Sequence, residues 1–167
     1  MMRRLAALLL LLVAACAPLR QPPPPQPAGE AGRIDLRPDP RLTPGAVMAG
    51  ITAADICRRG WAHSVRHVTA QVRRTVFTAY GVPSGNHTGI CAGPEGCELD
   101  HLVSLELGGS NDAANLWPQP HASAIVKDRL ENELHRRVCA GDLPLNQAQS
   151  MIAHDWVEAY HALFGEW

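Results

Sequence analysis

The chain has 167 residues, of which 46% are hydrophobic and 19% charged, with a formal net charge of −1. That length fits one domain with appendages, and the near-neutral total argues against a partner captured by bulk positive charge. The longest uninterrupted apolar run near the start, Leu5 to Ala15, spans 11 residues, too short for a bilayer crossing of roughly 20 residues.

That run follows Arg3 and Arg4 and suits the apolar region of a signal peptide. It ends Val13-Ala14-Ala15-Cys16, which resembles a bacterial lipobox. The resemblance implies cleavage before Cys16, lipidation of that cysteine and anchoring of an exported protein to a membrane of the bacterial cell envelope. Several acyl chains hold stably where one holds marginally. The alternative is a simple secretory signal cleaved near Ala14, Ala15 and Ala17. Residues 21–26 read QPPPPQ, and prolines recur at positions 27, 38, 40 and 44. Such a stretch is an extended, semi-rigid spacer. The expected organisation is a signal peptide over 1–15, a lipidated cysteine with a proline-rich linker over 16–49, and a domain over 50–167.

The chain has five cysteines. With Cys16 set aside, Cys57, Cys91, Cys97 and Cys139 form an even set, which in an oxidising compartment suggests two disulfides. Three pairings are possible. The short AGPEG loop between Cys91 and Cys97 favours joining those two, leaving Cys57 with Cys139 at the two ends of the domain. A four-cysteine zinc site is disfavoured, because no C-x-x-C pair is present.

Removal of residues 1–15 leaves 13 basic against 16 acidic residues, yet the distribution is uneven. From Ile56 to Pro94 there is no Asp or Glu, while Arg58, Arg59, Arg66, Arg73 and Arg74 fall there with His63, His67 and His87. A local basic surface of this kind attracts phosphates even on a slightly acidic chain. The alternative is a solvated helix face balanced by acids elsewhere.

Val68, Val72, Val76 and Tyr80 recur every four residues behind a candidate cap, Thr69, and before Gly81, which predicts a helix. Glu98 to Leu107 reads as a strand, Gly108 to Asp112 as a turn, and Asn115 to Trp117 as a short returning strand stopped by Pro118 and Pro120. A second helix is predicted from about Ser123 to Cys139 on Val126, Leu130, Leu134 and Val138, ended by Gly141. A third runs from Leu145 to Leu163 on Ala148, Ile152, Trp156 and Ala159. The fold class is therefore α+β: a hairpin that cannot stand alone in water, packed on flanking helices.

Asp100-His101, Gly108-Gly109 and Asn115 carry the chemistry. Phosphodiester hydrolysis needs a base able to work near neutral pH, which suits His. It also needs something to offset negative charge on the phosphate and the leaving oxygen, which a divalent cation can do. Adjacent strand residues point to opposite faces, so Asp100 and His101 converge only if the strand ends or distorts there.

The pattern D-H-x6-G-G followed by N-L resembles the HNH, or His-Me finger, superfamily. The longer stretches ELDHLVSLELGGSNDAANLWPQP, KDRLENELHRRVCAG and QAQSMIAHDW resemble exported bacterial HNH-endonuclease-like proteins over roughly Ala54 to Gly165. The resemblance implies a ββα-metal fold and a metal-dependent endonuclease of low sequence specificity, acting on DNA before RNA. Asp100 would bind one divalent ion (Mg²⁺, Mn²⁺, Ni²⁺ or Zn²⁺), His101 would be the general base, and Asn115 would bridge the hairpin and orient the His101 ring. The further ligand usual some eight to ten residues after the Asn is missing, since Ser123, Ala124 and Ile125 stand there. His121 is the candidate replacement. Glu131 and His135, one turn apart, are also able to face the site, but read more simply as a surface pair. Arg58, Arg59, Arg66, Arg73 and Arg74 would contact the nucleic-acid backbone. Trp61, Trp117, Trp156 and Tyr160 read as packing residues, and His154 and His161 as solvated. The rival reading is a non-catalytic envelope module that keeps the hairpin as a structural or partner-binding element.

Overall fold

A computed structural model describes residues 36–81 and 96–166. The expected signal peptide, the Cys16 lipidation site, the QPPPPQ run and Cys91 lie outside the described residues. Helices α1 (Ala53–Ile56), α2 (Trp61–Val65) and α3 (Ala70–Ala79) precede strands β1 (Cys97–His101) and β2 (Leu116–Pro120), and the helices α4 (His121–Ala140) and α5 (Leu145–Phe164) close the chain. The two strands form one antiparallel sheet, so the chain mixes helix and strand in a way compatible with the α+β class. Among the described residues no helix is long and apolar enough to cross a membrane.

Local chemistry explains most boundaries. Thr52 and Asp55 form a reciprocal capping box that starts α1, a signal the apolar periodicity does not carry. Thr69 caps α3 by accepting from the Val72 N–H, as its position predicts. Gly141 ends α4 in the left-handed region at φ +81°. In α5 the helix is interrupted at Asp155, whose φ of −161° is extended. Its carboxylate accepts from the Val157 and Glu158 N–H groups at 3.0 Å each, so it acts as an N-cap in mid-helix.

The hairpin is shorter in its first strand and longer in its second than the sequence predicts. β1 stops at His101, and Leu105–Leu107 forms a 3₁₀ turn instead of continuing the strand. Asn115 ends another 3₁₀ turn, and β2 runs through both prolines rather than stopping at them. The register explains why. The Leu102 N–H bonds the Asn115 carbonyl at 2.7 Å, which makes Asn115, Trp117 and Gln119 the hydrogen-bonded positions. Pro118 pairs with Leu99 and Pro120 with Cys97, at positions where no ladder N–H is required.

The core joins Leu102, Val103, Leu107 and Trp117 of the hairpin region to Leu130, Leu134 and Val138 of α4 and to Ile152, Trp156 and Tyr160 of α5. Residues 36–49, read from sequence as linker, pack on this body. Thr43 is buried and donates to the Leu116 carbonyl at 2.9 Å. The Gly45 and Ala46 N–H groups bond the Ala114 carbonyl, the Met48 N–H bonds the Gly108 carbonyl, and the Trp156 indole donates to the Leu36 carbonyl at 2.8 Å. The segment turns at Asp39, whose carbonyl accepts from the Leu42 and Thr43 N–H groups, and beyond that turn loops around the hairpin accept its N–H groups.

Cys57 and Cys139 are disulfide-bonded with a Cα–Cα distance of 5.6 Å across a sequence separation of 82, the pairing expected. Cys97 is also disulfide-bonded, and its expected partner Cys91 is outside the described residues. Replacing both Cys57 and Cys139 by Ser is expected to lower the unfolding free energy by about 2–4 kcal/mol, measured as a shift in urea midpoint. An unchanged midpoint would show that the link constrains little.

Candidate active site at the end of the hairpin

The loop between the strands is built around a buried amide. Asn115 is fully buried; its Nδ2 donates to the Val103 and Ser110 carbonyls at 2.9 Å each, and its Oδ1 accepts from the Val103 N–H at 2.9 Å. Gly109 lies flat against this group, since a Cβ there would stand 1.7 Å from the Val103 carbonyl oxygen and 2.7 Å from Asn115 Nδ2. Gly108 sits at φ +77°, where L side chains are strained. The Gly108-Gly109 motif is thus a packing requirement of the Asn115 staple. Asn115 bridges the hairpin as expected, but its bonds are spent on the loop backbone and the His101 ring is oriented by another residue.

That residue is Asn111. His101 Nε2 lies 3.1 Å from Asn111 Oδ1. The same oxygen takes the His67 backbone N–H at 3.3 Å, and Asn111 Nδ2 donates to the Val65 carbonyl at 2.8 Å. With Oδ1 accepting, Nε2 must carry the ring proton, which leaves Nδ1 as the basic nitrogen. His101 is only 5% exposed. Burial holds its pKa below the ordinary value, and the positive charges of Arg66 and Lys127 act in the same direction, against the Asn111 bond and Asp100. The ring is therefore neutral near pH 7.

Asp100 turns the other way, as strand alternation requires. Its Oδ2 accepts from Lys127 Nζ at 2.7 Å, and the same ammonium donates to the His101 backbone carbonyl at 2.7 Å and to Glu131. The Lys127 side chain is 1% exposed. An ammonium has three protons, and all three are engaged. Burial alone would lower the Lys127 pKa, but Asp100 and Glu131 outweigh it and raise it, so Lys127 stays charged. Burial, with help from Asp100, raises the Glu131 pKa against the pull of Lys127. The sequence reading of Glu131 and His135 as a surface pair is corrected: Glu131 pairs inward with Lys127, and His135 Nε2 lies 3.2 Å from the Ile56 carbonyl oxygen.

His121 opens α4, half exposed, with Nδ1 3.7 Å from Glu98 Oε2. Asp100 is bound by an ammonium, His101 faces Asn111, and His121 faces Glu98. Among the described residues, neither Asp100 nor His121, the expected ligands, belongs to a group of three or more His, Cys, Asp or Glu ligand atoms within 4.8 Å of one another. Among the described residues, the ligand atoms that gather within 4.8 Å belong to Cys57, His135 and Cys139. That group could hold a metal ion, but only with its disulfide reduced, because the thiolate is the ligand.

The five arginines of the basic stretch are all exposed. The Arg58 guanidinium lies 5.0 Å from the Trp61 ring centroid and 3.7 Å from Asp55, Arg73 lies 5.8 Å from the Phe77 centroid, and Arg74 bonds Gln71 at 2.8 Å. Arg66 is the one whose charge acts on His101. Trp117, Trp156 and Tyr160 are core residues, Trp61 packs against the core, and His154 and His161 are exposed, as expected.

Sequence reasoning missed Asn111 and Lys127. Lys127 left a trace, since it shares the inner stripe of α4 with Ser123, Leu130, Glu131 and Leu134, where an unpaired cation would not be tolerated. Comparison with protein-family models, with curated proteins and with solved structures finds no match.

Nitrogen-detected NMR of His101 is expected to show the Nε2–H tautomer and a titration midpoint below 6.5. Asn111→Ala should mix the tautomers and cost about 1–3 kcal/mol through groups left unpaired. A wild-type midpoint at or above 6.5 would contradict the burial argument.

Proposed function

We propose that the domain cleaves phosphodiester bonds in nucleic acid, with His101 as the general base and Arg66 holding the phosphate. The observation that carries this is a buried, neutral imidazole with its tautomer set by Asn111, under the charge of an exposed arginine. The resemblance of Glu98–Pro120 to HNH endonucleases points the same way, with β1, β2 and α4 as the ββα unit. His101 Nδ1 takes the proton of the attacking hydroxyl or water as the bond to phosphorus forms, the bond to the leaving ester oxygen breaks and that oxygen takes a proton from solvent, and the Arg66 guanidinium offsets charge on the phosphate oxygens. Arg58, Arg59, Arg73 and Arg74 extend the cationic face along the polymer. Such contacts position a backbone without reading its bases, so little sequence preference is expected. Export and the Cys16 anchor would place this activity at the bacterial cell envelope.

A second reading is favoured by one observation. Lys127, Asp100 and Glu131 satisfy one another, so the polar centre needs no substrate or ion to be stable, as a non-catalytic envelope module would require.

The test is cleavage of plasmid DNA and of RNA by the purified full chain, with and without Mg²⁺, Mn²⁺, Ni²⁺ or Zn²⁺. Wild type is expected to cut at least one polymer, and His101→Ala to cut about 10²–10⁴-fold more slowly. Because a protonated imidazole cannot accept a proton, the rate should fall as pH drops through the lowered His101 pKa, below 6.5. Equal cutting by His101→Ala, or none under any condition, would favour the module.

A further inference from the structure

The resemblance assigns a divalent ion to Asp100, and the geometry disagrees. We infer that Lys127 is the resident cation of the hairpin: its ammonium fills the oxygen-lined position between Asp100, Glu131 and the His101 carbonyl, and the chain folds and acts without a metal ion there.

Three observations carry this. The donors around Nζ are two carboxylates and a backbone carbonyl, the oxygen set that Mg²⁺, Mn²⁺ and Ca²⁺ prefer. Asp100 Oδ2 and the His101 carbonyl each accept a hydrogen bond from Nζ at 2.7 Å. The lysine side chain is 1% exposed and all its protons are engaged, so it has no second position ready. A divalent ion entering this place would have to expel the ammonium into the core without a partner, or sit against it and be repelled.

The source of the cation is α4 itself. Lys127 and Glu131 are one turn apart on its inner face, while the end of β1 contributes the Asp100 carboxylate and the His101 carbonyl. One helix thus supplies the ammonium and one of its two carboxyl partners. The count also predicts what the lysine prevents. Two carboxyl groups surround one ammonium, and Glu98 and Asp128 each couple electrostatically to Asp100, so acidic groups outnumber the cation here. Without Lys127 the same oxygens would be a divalent site. The resemblance therefore extends to the fold and the base, and stops at the metal.

The test uses the purified full chain and its Lys127→Ala variant. Elemental analysis of wild type after dialysis is expected to find no stoichiometric divalent ion, and its melting midpoint should be the same in EDTA as in Mg²⁺ or Mn²⁺. Lys127→Ala should melt lower than wild type and be raised again by millimolar Mn²⁺, with calorimetry showing one bound ion. One ion per wild-type chain that is lost in Asp100→Asn, or a wild-type midpoint that falls in EDTA, would overturn the inference. Those wild-type arms decide it even if Lys127→Ala fails to fold. The activity arm rests on the phosphodiester-cleaving reading. Cleavage that survives EDTA supports both ideas. Cleavage that EDTA abolishes and Mg²⁺ or Mn²⁺ restores overturns this inference and keeps that reading. No cleavage at all overturns that reading and leaves metal content and melting to decide this one.

Discussion

One ammonium group holds together the elements on which the rest of the site depends. Lys127 reaches from the middle of α4 to the last two residues of β1 and to Glu131 on its own helix. A buried ion pair of this kind adds little net stability compared with a well-packed apolar group, because both charges must be desolvated. Its effect is on geometry. The apolar packing of the core that Leu130 and Leu134 share with Leu102 and Val103 is non-directional. The three bonds from one nitrogen are directed, and they set where β1 stops relative to α4.

The stopping point matters because strand alternation divides the labour of Asp100 and His101. Asp100 is turned toward α4 and spent on structure. His101 is turned toward Asn111 and the segment after α2, where its ring is desolvated and its proton assigned. Its backbone carbonyl remains on the Lys127 side, so the residue is gripped from both faces. A motif in which an acid and a histidine are adjacent thus need not place both side chains in one site. Here the pair separates into an anchor and a buried imidazole, the proposed base.

What was legible in the sequence follows from which forces are local. The four-residue spacing of Val72 and Val76, the cap at Thr69 and the stop at Gly141 act within a few residues, and α3 and α4 form where they predict. Gly108 and Gly109 announced a tight loop, and the buried Asn115 explains why. The choice between Asn111 and Asn115 as the partner of His101 was not legible, because one lies in the turn and the other just after it, and only the tertiary path of residues 65–67 selects one. The prolines of β2 misled for a similar reason, since a missing N–H matters only once the register is known. The packing of residues 36–49 was hidden because its backbone bonds go to loop carbonyls, with no periodic side-chain signal to mark them. Lys127 was hidden because a charge on an inner helix stripe is read as solvated until its partners, 27 and 4 residues away, are placed.

The covalent frame completes the chain of dependence. In the segment that orients Asn111, through the Val65 carbonyl and the His67 N–H, α1 and α2 are a single turn or little more, and helices so short are marginal in water without tertiary packing. The segment is tied at one end by the disulfide from Cys57 to Cys139 at the end of α4. There the His135 ring also meets the Ile56 carbonyl. At its other end Asn111 holds it. A short, arginine-bearing segment is thereby held between α4 and the hairpin loop. The link itself is of a kind that persists in an oxidising compartment.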